Sequence, residues 1–495
     1  MFYTHQDRDD DYKPSRQEVI EEKNNSDSSY QSHEDDLSAL ERIATQEDHE
    51  SYEESHKTET NGSRRPQQHS LELRQTASNV LDRVASRITT RSIRDPPPPP
   101  DGGFQAWLQV AMGWLIIFVT WGYVNSFGSF QAYYTQTLPE DASTISWIGS
   151  IQVFLTFFIG AFSGRLLDAG LFVPTLFVGG ILQLLGIFMM SLSTKWWQLL
   201  LSQGVLTGIG GGIFFCPSMG LIATYFSNRR ALAVGITSTG NSVGGMIYPI
   251  LTRELLPKIG FAWTTRVLGF LNLGLLAIAF AFMRPRLPPR ATGPIIDWKA
   301  FTEPVYVLFV GGIFFVLWNV YFTFYYIASY GIENAGLPYS ASTTLVIIIN
   351  GVGIPARIIP PFFADKFGPL NTVVPVLFCV AIVSYTWLAV DSTTGFYIFT
   401  VFYGMINASF QCLIPTAVAS LTPNLNVVGT RLGMAFATIS FAALTGPPIG
   451  GVLQSANNGS FVAPQVWAST SALLCAFLVL GARFKKGGWD LKARC

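Results

Sequence analysis

The sequence predicts an all-α membrane protein in which twelve transmembrane helices form two pseudo-symmetric six-helix bundles. Three observations predict this fold. Twelve apolar stretches, most with few charges, have the length of about 20 residues that a helix needs to cross a hydrocarbon core of roughly 30 Å. One basic, proline-rich segment, Arg284–Pro304, divides them six plus six. Motifs of the first half return in the second half, and such repeats are typical of transporters whose halves are related by an axis along the membrane normal.

The predicted spans follow one another with short connections. Those of the first half are Trp107–Tyr133, Ile145–Leu167, Phe172–Ser193, Leu199–Phe226, Ala231–Leu251 and Phe261–Met283. Those of the second half are Val305–Tyr330, Ala341–Phe363, Thr372–Val390, Phe396–Leu421, Leu432–Leu453 and Val466–Ala482. We therefore expect bundles at residues 101–283 and 305–484, a cytoplasmic linker at 284–304 and a short tail at 485–495.

The first hundred residues differ from the rest of the chain. Residues 1–60 hold 18 acidic and 6 basic side chains, and the segment is rich in Ser, Glu, Asp and Gln. Such a composition buries too little apolar area to offset its ordering entropy. We expect residues 1–100 to be a disordered cytoplasmic tail that ends in the stiff run Pro96–Pro100.

The distribution of basic residues predicts the orientation. If both termini are cytoplasmic, the inner side of the membrane region carries fifteen Lys and Arg residues and the outer side four, which satisfies the positive-inside rule. The sequon at Asn458 then lies in an external loop, where glycosylation is expected. We expect the plasma membrane, with the vacuolar membrane as the alternative.

Charged residues recur at the cytoplasmic ends of both halves. Asp168 ends span two and Asp365 ends span eight, while Arg229 and Arg230 open span five and Arg431 opens span eleven. A carboxylate there can meet the positive N-terminus of a neighbouring helix. We predict gating pairs between Asp168 and Arg431, and between Asp365 and Arg229 or Arg230. The alternative is that each arginine extends to the membrane interface without a partner.

Three motifs carry a resemblance to a known family. They are Asp101–Trp107 before span one, Tyr225–Gly245 into span five and Gly429–Gly451 in span eleven. With these, residues 101–484 resemble the fungal branch of the monocarboxylate-porter-like family of the major facilitator superfamily. The resemblance implies alternating access with a substrate site between the halves. It also implies proton-coupled carboxylate transport, vitamin uptake or export of secondary metabolites.

The resemblance also points to individual charges. The arginine that the family carries in span eight corresponds to Arg357. The family's acidic residue one turn earlier corresponds to Gly353, and the span-one lysine of the animal carriers corresponds to Ser129. Two of three proton-coupling charges are thus replaced, which favours export of an organic acid over proton-coupled uptake.

Arg357 is the strongest candidate for a substrate-binding residue. An arginine within the membrane costs about 2.5–3.5 kcal/mol on insertion scales and normally faces a cavity or a partner. By helical rise it lies about 12 Å from the cytoplasmic end of its span. The other candidates are polar residues in the middle of predicted spans, namely Asn125, Asn319, Asn350, Asn407 and Gln411. The alternative for each is a hydrogen bond between helices, and for Arg357 a structural pair.

These features predict a secondary-active transporter for a small organic acid or amphiphilic metabolite, with efflux of a fungal secondary metabolite favoured. Proton-coupled uptake of a monocarboxylate or vitamin is one alternative, and a non-transporting sensor that signals through the tail is another. The expected partners are the organic substrate, the lipid bilayer and, as a coupling ion, the proton. All five histidines lie in the tail. No cofactor, metal, nucleic acid or enzymatic activity is expected.

Overall fold

The computed structural model describes residues 99–226, 229–287, 296–390, 392–422 and 428–488. The predicted N-terminal tail up to residue 98 and the last seven residues lie outside the described residues. Among the described residues the regular structure is helical throughout.

The helices follow the predicted spans closely, and several begin at residues that favour a helix start. The Asp141 carboxylate caps the second helix by accepting hydrogen bonds from the Ser143 and Thr144 amides, and Pro304 and Pro369 open two later helices. The helices of the first half include α1 (Gly103–Thr137), α2 (Ala142–Asp168), α3 (Phe172–Met190) and α4 (Trp196–Tyr225). A 3-10 helix, Trp298–Thr302, lies in the linker.

The fifth and sixth predicted spans form one helical segment, Arg230–Phe282, that breaks at Gly260. Gly260 has φ 73° and ψ 173°, a conformation that glycine adopts readily. The Tyr248 hydroxyl donates to Asn272 Oδ1 at 3.0 Å, so the two arms, α5 (230–259) and α6 (261–282), fold back on each other.

Eleven segments within the described residues are long and apolar enough to cross a membrane. One of them is the broken segment, whose 53 residues would span about 80 Å if straight, far more than one crossing requires. The fold is that of a multi-pass integral membrane protein. Twelve crossings remain a prediction, which the fold-back at Gly260 supports.

The second half repeats this arrangement. Its helices are α7 (Pro304–Glu333), α8 in three pieces (Tyr339–Gly351, Gly353–Ala356 and Ile359–Phe367), α9 (Pro369–Thr386), α10 (Thr393–Ser420), α11 (Val428–Ala456) and α12 (Val462–Gly487).

One tertiary contact recurs in both halves. The Trp114 indole of α1 donates to the Thr239 hydroxyl of α5 at 3.0 Å. The Trp318 indole of α7 donates to the Thr445 hydroxyl of α11 at 2.9 Å. The first helix of each half thus binds the fifth helix of the same half in the same way, as pseudo-symmetric bundles require.

The two bundles meet closely at the face that carries the α1–α2 and α7–α8 connections, which we call the outer face because the predicted orientation places it outside. Ser143 of α2 donates to the Pro448 carbonyl of α11 at 3.0 Å, and Tyr326 of α7 donates to the Ala142 carbonyl at 3.1 Å. Tyr339 of α8 donates to the Ser129 carbonyl of α1 at 3.2 Å. These contacts between helix ends close the outer face in this conformation.

Candidate substrate-binding site

Helix α8 is interrupted at Arg357. Pro355, Pro360 and Pro361 lack the amide hydrogens that a continuous helix would use there. The Gly353–Ala356 piece therefore ends at Arg357, and the next piece begins at Ile359. Interrupted helices at membrane depth are typical of transporter binding sites.

The Arg357 side chain joins the two bundles. It is 5% exposed, and its Nε donates to the Ser242 hydroxyl of α5 at 3.0 Å. Its Nη2 donates to Gln411 Oε1 of α10 at 3.1 Å. A guanidinium has five N–H donors, and Nη1 has no hydrogen-bond partner within the part of the chain that the structure describes.

Two asparagines extend this network across the first bundle. With the Asn241 amide oriented so that its oxygen faces Arg357, that oxygen accepts from Nη2 at 2.9 Å and from Asn125 Nδ2 at 3.2 Å. Its nitrogen then donates to the Trp121 carbonyl at 3.1 Å. We call the residues that meet here the central polar cluster: Asn125, Asn241, Ser242, Arg357 and Gln411.

Asn407 lies one helical turn from Gln411 on the same face of α10. It is 1% exposed, and neither its amide nitrogen nor its oxygen has a hydrogen-bond partner in the described structure. A buried amide without partners costs about 1–3 kcal/mol. Within the described structure the hydrogen-bonding capacity of the Asn407 amide is therefore unused.

Aromatic rings lie beside the cluster. The Trp121 ring contacts Phe157 at 4.5 Å and Phe215 at 5.3 Å between centroids, and Phe157 continues to Phe436 of α11 at 5.4 Å. The Tyr321 hydroxyl of α7 lies within electrostatic range of Arg357. A charged group surrounded by neutral amides and aromatic rings suits an amphiphilic anion.

Two other predicted binding residues have different surroundings. The Asn319 amide donates to Ser384 at 3.0 Å and accepts from Tyr403 at 2.9 Å, all within the second bundle. The Asn350 amide donates to the Val346 carbonyl at 2.9 Å and packs against the backbone of Gly245. The structure brings Asn125, Gln411 and Arg357 together but leaves Asn319 outside the cluster.

Gly353 allows α5, α8 and α10 to approach one another. A Cβ at this position would lie 3.0 Å from the Ser242 hydroxyl oxygen and 3.1 Å from the Ala408 Cβ. The space that the family's acidic side chain would need is therefore filled by helix contacts. Ser129, at the family's lysine position, is fully buried with an unpartnered hydroxyl.

The predicted gating residue Arg431 is buried and ion-paired. Its Nη1 and Nη2 each bind a Glu303 carboxylate oxygen at 2.6 Å, and its Nε binds Asp297 Oδ2 at 2.8 Å. The Tyr306 hydroxyl donates to the Arg431 carbonyl at 2.7 Å. Arg431 therefore fastens the linker and the start of α7 to α11. Asp297 and Glu303 were not predicted as partners, because the basic residues of the linker outnumber these two carboxylates.

The other predicted gating contacts stay predictions. Gly433 of α11 packs against the Ala161 carbonyl of α2, where an added Cβ would lie 2.8 Å from the oxygen, so the two helices that carry Arg431 and Asp168 are neighbours. The side chains of Asp168, Arg230 and Asp365 lie outside the described residues. Arg229 is exposed at the start of α5.

The predicted glycosylation site, Asn458, is exposed in the connection between α11 and α12. It has φ 53°, a left-handed conformation that asparagine tolerates better than most residues. Its exposure leaves the side chain accessible, while its modification remains a prediction.

The fold and the central cluster define a membrane transporter built of two homologous bundles. The Major Facilitator Superfamily model matches residues 112–447, and the chain belongs to that superfamily. The chain is 44% identical over 388 residues to an MFS-type transporter of Gibberella zeae. The alignment covers 78% of this chain and 88% of that relative.

Two further relatives have names that state a cargo. The aspyridones efflux protein apdF of Emericella nidulans is 34% identical over 389 residues, covering 78% of this chain and 79% of that protein. The fujikurins efflux protein of Gibberella fujikuroi is 34% identical over 397 residues, covering 78% and 84%.

A solved structure shows the same fold. A bacterial homolog of the human lysosomal transporter Spinster, in an inward-facing and unoccupied conformation, superposes with a TM-score of 0.62. It is 16% identical in sequence, and the match covers 79% of this chain and 99% of that protein.

Proposed function

We propose that this transporter exports an acidic, amphiphilic secondary metabolite from a fungal cell by alternating access. The observation that carries the proposal is Arg357, a buried cation that contacts both bundles through neutral partners and whose Nη1 has no partner among the described residues. The efflux proteins among the relatives support the direction of transport. The fungal monocarboxylate-porter-like branch, with its broad range of organic cargo, is the subfamily that fits this site.

The proposed cycle uses both faces of the molecule. Cargo enters from the side of the linker, and its acidic group binds Arg357 Nη1 while Asn407 and Gln411 bind its polar atoms. The contacts at Ser143 and Tyr326 then open, and the outer face releases the cargo. Asp168, Asp365, Arg229, Arg230 and Arg431 would close the inner face at that stage.

The membrane and orientation belong to the same proposal. We place the transporter in the plasma membrane with both termini in the cytoplasm, which puts Asn458 outside. The excess of inner Lys and Arg residues supports this orientation. A transporter in the vacuolar membrane would sequester the cargo in the vacuole and would not export it from the cell.

Proton-coupled uptake is the competing function. It needs a group that gains and loses a proton near the cargo, and the family's acidic position is Gly353 here. The helix contacts around Gly353 therefore favour export of an anion over proton symport.

Deleting the gene in its own fungus tests the proposal. Mass spectrometry of medium and cell extract should show at least one acidic metabolite depleted outside and retained inside. Wild type should restore its export, and so should Lys258→Gln, a control that removes an exposed outer charge. Arg357→Gln should not. Normal export of every acidic metabolite, or a growth defect on a carboxylate as sole carbon source, would contradict the efflux proposal.

A further inference from the structure

Among the side chains that the structure describes, no carboxylate balances the charge of Arg357. Its hydrogen-bond partners Ser242, Gln411 and Asn241 are all neutral, and no ion pair to it occurs in the described structure. The titratable groups within its electrostatic range are the Tyr321 hydroxyl and the Cys412 thiol. Phenols and thiols in water are mostly neutral at pH 7, so the empty site carries one positive charge.

Residues 101–495 hold eleven carboxylates: Asp101, Glu140, Asp141, Asp168, Glu254, Asp297, Glu303, Glu333, Asp365, Asp391 and Asp490. Those whose side chains the structure describes are found in connections, at helix ends or, for Glu254, in an exposed cluster with Arg253 and Lys258. The side chains of Asp168, Asp365, Asp391 and Asp490 lie outside the described residues. Of the carboxylates that the structure describes, the helices around Arg357 therefore place none beside the cargo where it could exchange a proton during transport.

From these two observations we propose that the protein is an electrogenic anion uniporter whose cargo is a monoanion. This inference rests on the proposed function, because it concerns the same site. The cargo's negative charge neutralises Arg357, so the site with bound cargo changes from inward-facing to outward-facing with no net charge. The empty site returns from outward-facing to inward-facing with the positive charge of Arg357. Each cycle therefore moves one net negative charge outward.

The membrane potential then drives export without a coupling ion. A potential that is negative inside favours return of the positive empty centre to the inner side. Moving one charge through 100 mV corresponds to about a 50-fold concentration ratio at equilibrium. An acidic metabolite could thus be held about 50-fold lower inside the cell than outside at that potential.

The empty protein provides a test that needs no knowledge of the cargo. Purified full-length protein in liposomes on a solid-supported membrane would be subjected to voltage steps with no organic solute present. We expect a transient charge movement in wild type that is lost in Arg357→Gln and retained in Arg357→Lys, which keeps the charge. Its size should be unchanged between pH 5.5 and 8. Size-exclusion profiles would establish that each variant is folded.

The possible outcomes separate this inference from the proposed function. Absence of charge movement in folded wild type, or its persistence in Arg357→Gln, would overturn the electrogenic mechanism. A charge movement whose size changes with pH would also overturn this mechanism, because a proton would then compensate the charge of the arginine. Loss of acidic-metabolite export in the deletion strain, restored by wild type, would still support the proposed function in each of these cases. A normal charge movement together with unchanged metabolite export in the deletion strain would contradict the proposed function alone.

Discussion

At the scale of single residues, the site combines one cation with amides that are only partly satisfied. Arg357 uses Nε and Nη2 to join α5 and α10, while Asn407 is buried with both amide atoms unpartnered. A native protein normally pairs its buried polar groups. Asn407 is one of several described residues whose buried polar atoms lack a partner, and its place one turn from Gln411 is explained if the cargo supplies the missing hydrogen bonds.

Replacing Asn407 with leucine should therefore separate stability from transport. Leucine has a similar shape and no polar atoms, so the empty protein should be stabilised by about 1 kcal/mol or more. Its Tm in detergent should rise by a few degrees, while the KM for export rises severalfold. Asn319→Leu, which breaks the bonds to Ser384 and Tyr403, should lower the Tm. A lower Tm for Asn407→Leu would mean that the amide has partners in the empty protein.

At the scale of the elements, the linker is tied to the second bundle. Arg431 of α11 is 2% exposed and binds Asp297 of the linker and Glu303 at the start of α7. Removing one partner from a buried ion pair is strongly destabilising, although the partial exposure of Glu303 reduces the effect. The linker is thereby held in a defined position at the N-terminal end of α11.

Arg431→Gln should release this segment. Trp298, which is 70% exposed and adjoins Asp297, offers chymotrypsin a cleavage site in the linker. We expect cleavage there to be several times faster in the variant, because the linker loses its anchor on α11. Lys299→Gln, which removes a neighbouring exposed charge, should be cleaved at the wild-type rate. Equal rates for all three proteins would show that Arg431 does not hold the linker.

Most of these elements could be predicted from the sequence. The apolar length of each stretch gave helix positions within a few residues, because crossing a bilayer imposes a minimum length. It gave no indication that α5 continues to residue 259, since the polar residues after Leu251 suggested a loop. The interruption of α8 was detectable in Pro355, Pro360 and Pro361.

The candidate site was predicted in part. A charged residue is conspicuous within an apolar stretch, and Arg357 could therefore be identified from the sequence alone. Asn241 and Ser242 lie in the motif Tyr225–Gly245, which was used only to indicate the family. Their role depends on which face of α5 meets α8, and this is set by packing between distant segments.

At the scale of the whole molecule, alternating access requires the outer contacts to break. Tyr326 and Ser143 hydrogen-bond across the bundles at helix ends, and a net hydrogen bond is worth about 1 kcal/mol. A small number of such bonds makes the closed outer face stable and yet reversible. The matching Trp–Thr contacts within the two bundles should persist throughout the cycle.

Tyr326→Phe should shift the protein toward the conformation with an open outer face. Loss of about 1 kcal/mol corresponds to about a fivefold change in this equilibrium. Cysteine introduced at the fully buried Ser129, in a variant without native cysteines, should react about fivefold faster with an impermeant maleimide. Tyr403→Phe removes a hydroxyl bond within one bundle and should leave the rate unchanged. A similar increase in both variants would indicate general loosening.

The most direct test of the central claim is ligand stabilisation of the purified protein by the acidic metabolite that the deletion strain retains. A ligand that binds the native state at 100 times its Kd stabilises that state by about 2.7 kcal/mol. Wild type should show a clear rise in Tm with the acid and little with its methyl ester. Arg357→Gln should respond to neither compound, whereas an equal rise in Arg357→Gln would show that the anion binds elsewhere.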